Sequence, residues 1–281
     1  LTPGNPAKMI LGEQADPESI ARFEEKYGLN DPYFIRFGKY IWNIVAHGDL
    51  GDSYTFNQPV VRLVLQRFPA TLTLAGLGVL VALIIGIPIG VLSATKQYSV
   101  VDNVAMVFAL IGVSMPSFWM GMMMILLFSV KLRWLPPSGF QSFKQMIMPM
   151  IAIGTGSAGI ITRMTRSSML EVIRSDYIRT ARAKGQRESV VIMRHALGNA
   201  LIPIVTVIGL QFGYLLGGAV LTETIFSIPG VGALMVEAIK RKDMPIVQGG
   251  VLFVALAFSI VNLFIDILYG FLDPRIRAQY R

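Results

Sequence analysis

The sequence of 281 residues contains no cysteine, which excludes disulfides, cysteine-ligated zinc, iron–sulfur clusters and thiol catalysis. Acidic residues are scarce: 17 Asp and Glu stand against 25 Lys and Arg, a formal net charge of +8. With 10% aromatics, that balance rules out a disordered tail or an acidic scaffold, and by itself it gives no reason to expect a nucleic-acid partner. There are two histidines, His47 and His195, no HExxH pair and no GxxxxGK[ST] loop. A zinc hydrolase and a nucleotide site within this chain are therefore not expected. Charged residues make up only 15% of the chain against 53% hydrophobic, and the mean hydropathy is +0.58. Such a composition belongs to a membrane protein.

The charge-free intervals locate the spans. About 28 residues between Arg67 and Lys96 carry no charge, more than the ~20 needed to cross a bilayer. Further intervals run from Asp102 to Lys131, from Lys144 to Arg163, from His195 to Glu223 and from Asp243 towards Asp273. Five spans are thus predicted. The last is interrupted by Asp266, whose carboxyl must face protein, a water-filled path or the membrane boundary.

Orientation follows from where the cations fall. Arg163, Arg166, Arg174, Arg179, Arg182, Lys184, Arg187 and Arg194 cluster between the third and fourth spans, which makes that loop cytoplasmic. Alternation then puts Lys96 and the tail with Arg275, Arg277 and Arg281 on the same side, and residues 1–66 outside. No signal-peptide pattern explains how residues 1–66 cross, so a further membrane helix is expected ahead of Leu1. The organisation read from sequence is an extracytoplasmic segment 1–66, a transmembrane domain 67–273 with a cytoplasmic loop 163–199, and a cytoplasmic tail 274–281. Within the first segment, Asp16 is placed to cap a helix from Pro17 to Tyr27 that Gly28 ends, and Tyr33 to Val45 reads as an aromatic amphipathic helix of the kind that lies in a membrane interface.

Gly154, Gly156 and Gly159 spell GxGxxG inside the third charge-free interval, not between a strand and a helix. Small residues for close helix packing in lipid explain them better than a dinucleotide site, as they do Gly86/Gly90 and Gly213/Gly217. The methionines at 115, 120, 122, 123 and 124 point in different directions on a helix and read as flexible packing, not a soft-metal path. No metal site is expected. Gln211, Glu223, Gln248, Asn262 and Asp266 are polar groups in or near spans; they are candidates for a polar translocation path, with boundary positions or interhelical hydrogen bonds as the alternative.

The segment from Asp176 to Asn199 is the most specific feature. Tyr177 to Lys184 are good helix formers, Gly185 permits a turn, and a second short amphipathic helix follows, with Val190, Val191, Met193, Ala196 and Leu197 on one face and Arg187, Glu188 and Arg194 towards water. A rigid helix–Gly–helix element on the cytoplasmic side can transmit the motion of a docked partner to the adjacent spans.

Thr180-Ala181-Arg182-Ala183-Lys184-Gly185, followed after nine residues by His195-Ala196-Leu197-Gly198-Asn199-Ala200-Leu201-Ile202-Pro203, resembles the EAA loop of ABC importer permeases in the form found in the dipeptide/oligopeptide/nickel family. Arg163 to Val172, Ser175 to Arg179, Leu221 to Gly232, the closing Asp273-Pro274-Arg275-Ile276-Arg277 and the opening Pro3-Gly4-Asn5-Pro6-Ala7 look like the same family. Two positions depart from its pattern: Asn5 replaces an aspartate, and Thr180 stands where the EAA glutamate would be. The resemblance implies an all-α type I ABC importer permease bundle in a prokaryotic inner membrane, with six spans of which five are visible here. It implies pairing with a homologous second permease, two ATPase subunits that hold ATP and magnesium, and an extracytoplasmic substrate-binding protein.

By the same resemblance, Asp176, Arg179, Thr180, Ala181, Arg182, Ala183, Lys184, Gly185, His195 and Asn199 form the ATPase-coupling element, and the mechanism is alternating access. Di- or oligopeptides are the expected cargo, with nickel or its complexes as the alternative. A secondary transporter would show inverted repeats or broken helices bearing ion-binding groups, and a membrane enzyme would cluster an acid, a base and a nucleophile. Neither pattern is evident.

Overall fold

The computed structural model describes residues 6–12 and 14–272, and their side chains other than those at 9, 266 and 268–272. The expectations on Pro3 to Asn5, on Asp273 to Arg277, on the tail 274–281 and on the side chain of Asp266 lie outside the described residues. Three helices precede the first span: α1 (Pro6–Leu11), α2 (Pro17–Lys26) and α3 (Tyr33–His47). Asp16 caps α2 as expected, accepting from the Ser19 amide at 2.9 Å, and Gly48 ends α3 in the left-handed region at φ +64°.

The spans are α4 (Val60–Thr95), the pair α5 (Val100–Ser114) and α6 (Ser117–Met124), then α7 (Phe143–Ile173). After α7 follow α8 (Asp176–Ala183) and the single turn α9 (Glu188–Val190). Residues Val191–Ala196 continue α9 as a π-helical turn into α10 (Leu197–Gly218). The chain then forms α11 (Val220–Ile225), α12 (Val231–Lys240) and the last span, α13 (Met244–Leu272). Among the described residues, four helices are long and apolar enough to cross a bilayer, and the α5–α6 pair makes up to five. The boundary drawn at residue 66 falls inside α4, because the helix starts at Val60, before the apolar run does. Arg163 to Ile173 likewise belong to α7 and not to a loop.

Sequence reading took residues 102–131 as one uninterrupted span, and here the structure differs. α5 and α6 meet at a bend of 98°. Pro116 is the cause: it has no amide to donate and forces the residue before it out of the helical region, so Met115 is extended at φ −86°, ψ 120°. A second π-helical turn, Ile125–Lys131, extends α6 towards the outer side.

α7 is the hub, packing against α4, α5, α6 and α10. Glycine permits the close approach. A Cβ on Gly90 of α4 would lie 2.7 Å from the Thr162 carbonyl oxygen, and one on Gly154 of α7 would lie 2.7 Å from the Gly78 carbonyl oxygen. The GxGxxG run is therefore a packing surface, since Gly159 similarly admits the backbone of α5 at Ala109. Met148, Ile153, Leu74 and Phe226 fill a central core, and a second core gathers Met169, Ile178, Val191, Ala196 and Ile204 at the cytoplasmic end.

One ion pair fixes the start of α5 against α7. Arg166 donates both Nε and Nη2 to the carboxylate of Asp102, each at 2.7 Å, and Asp102 also accepts from the Ser93 hydroxyl and the Tyr98 amide. The Asp102 side chain is 2% exposed, so its charge depends on these donors. Arg166→Met is expected to lower stability by about 3–5 kcal/mol, because it strands a buried carboxylate, whereas Asp102→Leu with Arg166→Met should recover most of the loss. Thermal unfolding in detergent reads both; an Arg166→Met protein that melts with the wild type would contradict this role.

Candidate functional site

Two features have the chemistry of a working site. The first is the turn that joins α8 to the base of α10. Ile178 is its anchor, fully buried against Met169, Val191, Ile192 and Ala196. With that face turned inwards, Asp176, Arg179, Thr180, Arg182, Ala183, Lys184 and Gly185 are exposed and Ala181 is half-buried. Gly185 adopts φ +74°, a region that costs a residue with a Cβ roughly 1–2 kcal/mol, and its amide closes the helix end on the Arg182 carbonyl at 2.9 Å.

Side chains brace this turn. Arg182 donates Nη2 to Glu188 at 2.7 Å and Nε at 3.1 Å, which bridges Gly185. Glu188 in turn holds the Arg182 guanidinium above its ordinary pKa, chiefly through that hydrogen bond. His195 Nε2 lies 2.7 Å from Gln186 Oε1, and Asn199 donates to the His195 carbonyl at 2.7 Å. The residues named from sequence therefore divide: Arg182, His195 and Asn199 tie the element together, while Arg179, Thr180, Ala183, Lys184 and Gly185 present a surface. Asp176 sits 3.6 Å from Arg179, with both side chains in water.

The second short helix expected after Gly185 is not a separate element. Glu188–Gly218 is one 31-residue helical run. Within this run Val191, Ile192 and Ala196 are buried, while Val190 and Met193, expected on the apolar face, are exposed.

The second feature is a cavity of about 470 Å³ beside the α5–α6 bend. Ser114, Met115 and Ser117 line it from the bend, Ser157 from α7, and Gln211 and Tyr214 from α10. Gln211 donates Nε2 to the Ser157 hydroxyl at 2.9 Å. Among the described residues that line it there is no Asp, Glu, Lys, Arg or His. It can therefore offer hydroxyls, an amide and apolar walls, which bind neutral polar groups without fixing a charge.

Of the polar residues named as a path, Gln211 lines this cavity. Glu223 is wholly buried elsewhere: Thr71 of α4 donates to its Oε1 at 2.6 Å and the Ala233 amide to its Oε2 at 2.9 Å, while the Val231 amide donates to Thr71 Oγ1. A buried carboxylate needs such partners, and here it clamps the turn before α12 to α4. Gly232 leaves room for it, since a Cβ there would lie 2.8 Å from Oε2. Gln248 is exposed and Asn262 half-buried on α13, and neither lines the cavity. Ser114, Ser117 and Ser157 were not singled out from sequence. The Met115-Pro116 break was the available signal for the first two; nothing local marks Ser157 in a run of small residues.

Comparisons with known proteins agree with this architecture. Residues 86–278 match the family described as binding-protein-dependent transport system inner membrane component, and residues 1–75 match its N-terminal companion family. The dipeptide transport system permease protein DppB of Alkalihalophilus pseudofirmus is 48% identical over 305 residues, covering 99% of this chain and 91% of that protein. The protein of the same description from Escherichia coli K12 is 45% identical over 311 residues, and the di/tripeptide transport system permease protein DppB of Pseudomonas aeruginosa 44% over 308, both with coverage of 99% and 91%. Among solved structures, an inward-facing form of the MetNI methionine ABC transporter superposes with a TM-score of 0.65 at 18% identity, covering 76% of this chain and 97% of that one. At that identity the likeness speaks for the fold, a type I ABC importer permease bundle. With the family matched over most of its length and the helical bundle in place, the chain belongs to the inner membrane components of binding-protein-dependent transport systems.

Proposed function

We propose that this chain is one of two homologous permeases in an ATP-driven importer, and that di- or oligopeptides cross the membrane through its cavity. One observation carries the reading: the helical run Glu188–Gly218 begins at Glu188, which the Arg182 bridge ties to the turn around Gly185, and carries Gln211 and Tyr214 of the cavity wall. Gln211 lies roughly 35 Å along that run from Glu188, so a displacement at the Glu188 end is carried to the cavity along one helix, with Pro203 as its interior proline. The close relatives are permeases for dipeptides and di/tripeptides, and a neutral cavity suits cargo of varied side-chain charge better than a naked metal ion. Peptide is accordingly preferred to nickel.

ATP and magnesium are assigned to two partner ATPase subunits, because this chain carries no P-loop sequence. Closure of those subunits would move the exposed surface from Arg179 to Gly185 and favour an outward-open cavity, which an extracytoplasmic binding protein loads. Reopening after hydrolysis would favour the inward state. Each state then has its own set of contacts, which is what a population shift requires.

Proteoliposomes holding the permease pair, the ATPases and the binding protein should accumulate a labelled dipeptide only with ATP and binding protein present. Accumulation without any ATPase subunit would overturn the reading, and accumulation of nickel alone would reject peptide. Gly185→Arg should abolish uptake while ATP hydrolysis persists, because the left-handed turn and the docking surface are both disturbed; normal uptake per ATP would refute the coupling role. Gln211→Leu, which keeps volume but removes the amide, should lower uptake about two- to tenfold, the worth of one hydrogen bond, with hydrolysis intact.

A further inference from the structure

No residue of α3 is buried. Tyr40 and Ile44 are half-buried, and Ile44 packs on the cluster formed by Leu50, Val60, Val64 and Ile246. At 100° per residue, the inward face of the helix is the one bearing Tyr40 and Ile44. Next to it lies an arc made of Phe34, Ile41, Val45, Trp42 and Ile35, and nothing described covers that arc: Phe34 is 83%, Val45 78% and Trp42 66% exposed. Arg36, Lys39, Asn43 and His47 occupy the remaining arc. The helix is thus amphipathic twice over, with one apolar strip used by the fold and a wider one left unused. Exposed apolar surface of that extent marks an interaction site.

Its level along the bundle normal identifies what it meets. Ile246 is the third residue after Asp243, where the cations Lys240, Arg241 and Lys242 end and the charge-free run of α13 begins. A side chain packed on Ile246 therefore sits at the outer edge of the hydrocarbon layer. Ile44 packs on the cluster to which Ile246 belongs, which holds the C-terminal half of α3 near that edge. The exposed arc is also continuous in kind with the lipid-facing surface of the spans, where Leu65 and Leu72 of α4 and Val251 of α13 are exposed.

From this placement we infer that α3 lies flat in the outer leaflet, with Phe34, Trp42 and Val45 among the phospholipid acyl chains and Arg36, Lys39 and Asn43 at the headgroups. This is the geometry of an interfacial helix. It moors the extracytoplasmic segment to the bilayer independently of any cargo, and it requires only that the chain be a membrane component.

Absence of cysteine makes the test direct, because a single introduced cysteine is a unique label in this chain. Phe34→Cys, Val45→Cys, Lys39→Cys and Asn43→Cys would each carry a nitroxide, in the assembled transporter with cysteine-free partners, in phosphatidylethanolamine/phosphatidylglycerol vesicles. Power saturation should show labels at 34 and 45 open to oxygen and shielded from a water-soluble nickel chelate, with the reverse at 39 and 43. Chelate access at 34 and 45 equal to that at 43 would overturn the inference, since the face would then be in water. Loss of access to both reagents there, with an immobilised spectrum, would overturn it equally, because a protein surface would cover the helix. Two positions on each face keep the result readable if one variant fails to assemble.

Discussion

Between α4 and α7 the two backbones come close enough that Gly90 and Gly154 have no room for a side chain. In lipid there is no hydrophobic drive between helices, so such contact surfaces depend on dispersion across tightly fitted small residues. Everything else is referred to this pair. α7 holds α5 through Gly159 and through the Asp102–Arg166 pair, and meets α10 where Ser157 accepts from Gln211. Widening α4 from α7 would displace the cavity wall, the ion pair and the cytoplasmic core together.

Beside that pair stands an element braced as one piece. The Gly185 turn is stiffened by the Arg182–Glu188 bridge and the His195–Gln186 contact, and Ile178 locks it to the cytoplasmic core. The π-helical turn at Val191–Ala196 is the local irregularity between the turn and the span. A π turn carries one extra residue without breaking the helix, so it alters which side chains face inwards while leaving the rod continuous. Glu223 works at the opposite end, where its buried carboxylate pins the turn before α12 to α4.

What the sequence made legible differs by residue. Gly185 was legible as a turn between helix formers, and the structure gives it a φ of +74°. Gln211 was visible as an amide inside a charge-free run and does line the cavity. Ser114, Ser117 and Ser157 were not legible, because serine is common in membrane helices and only the bend at Pro116 brings the first two opposite the third. Glu223 shows the converse: an acid beside a span was correctly noticed, yet nothing local tells a path from a clamp. That distinction rests on Thr71, 152 positions away.

Composition and charge-free length suffice for a multi-span helical membrane protein, because transfer energetics act on each segment separately. The family likewise follows from local strings such as Thr180 to Gly185. Partnerships between distant segments were decided only in three dimensions. Asp102 finds Arg166, Glu223 finds Thr71, and Val190 and Met193 turn outwards while Val191, Ile192 and Ala196 turn in. Those outcomes depend on which side chains meet once α4 and α7 have packed, and a one-dimensional pattern does not carry that information.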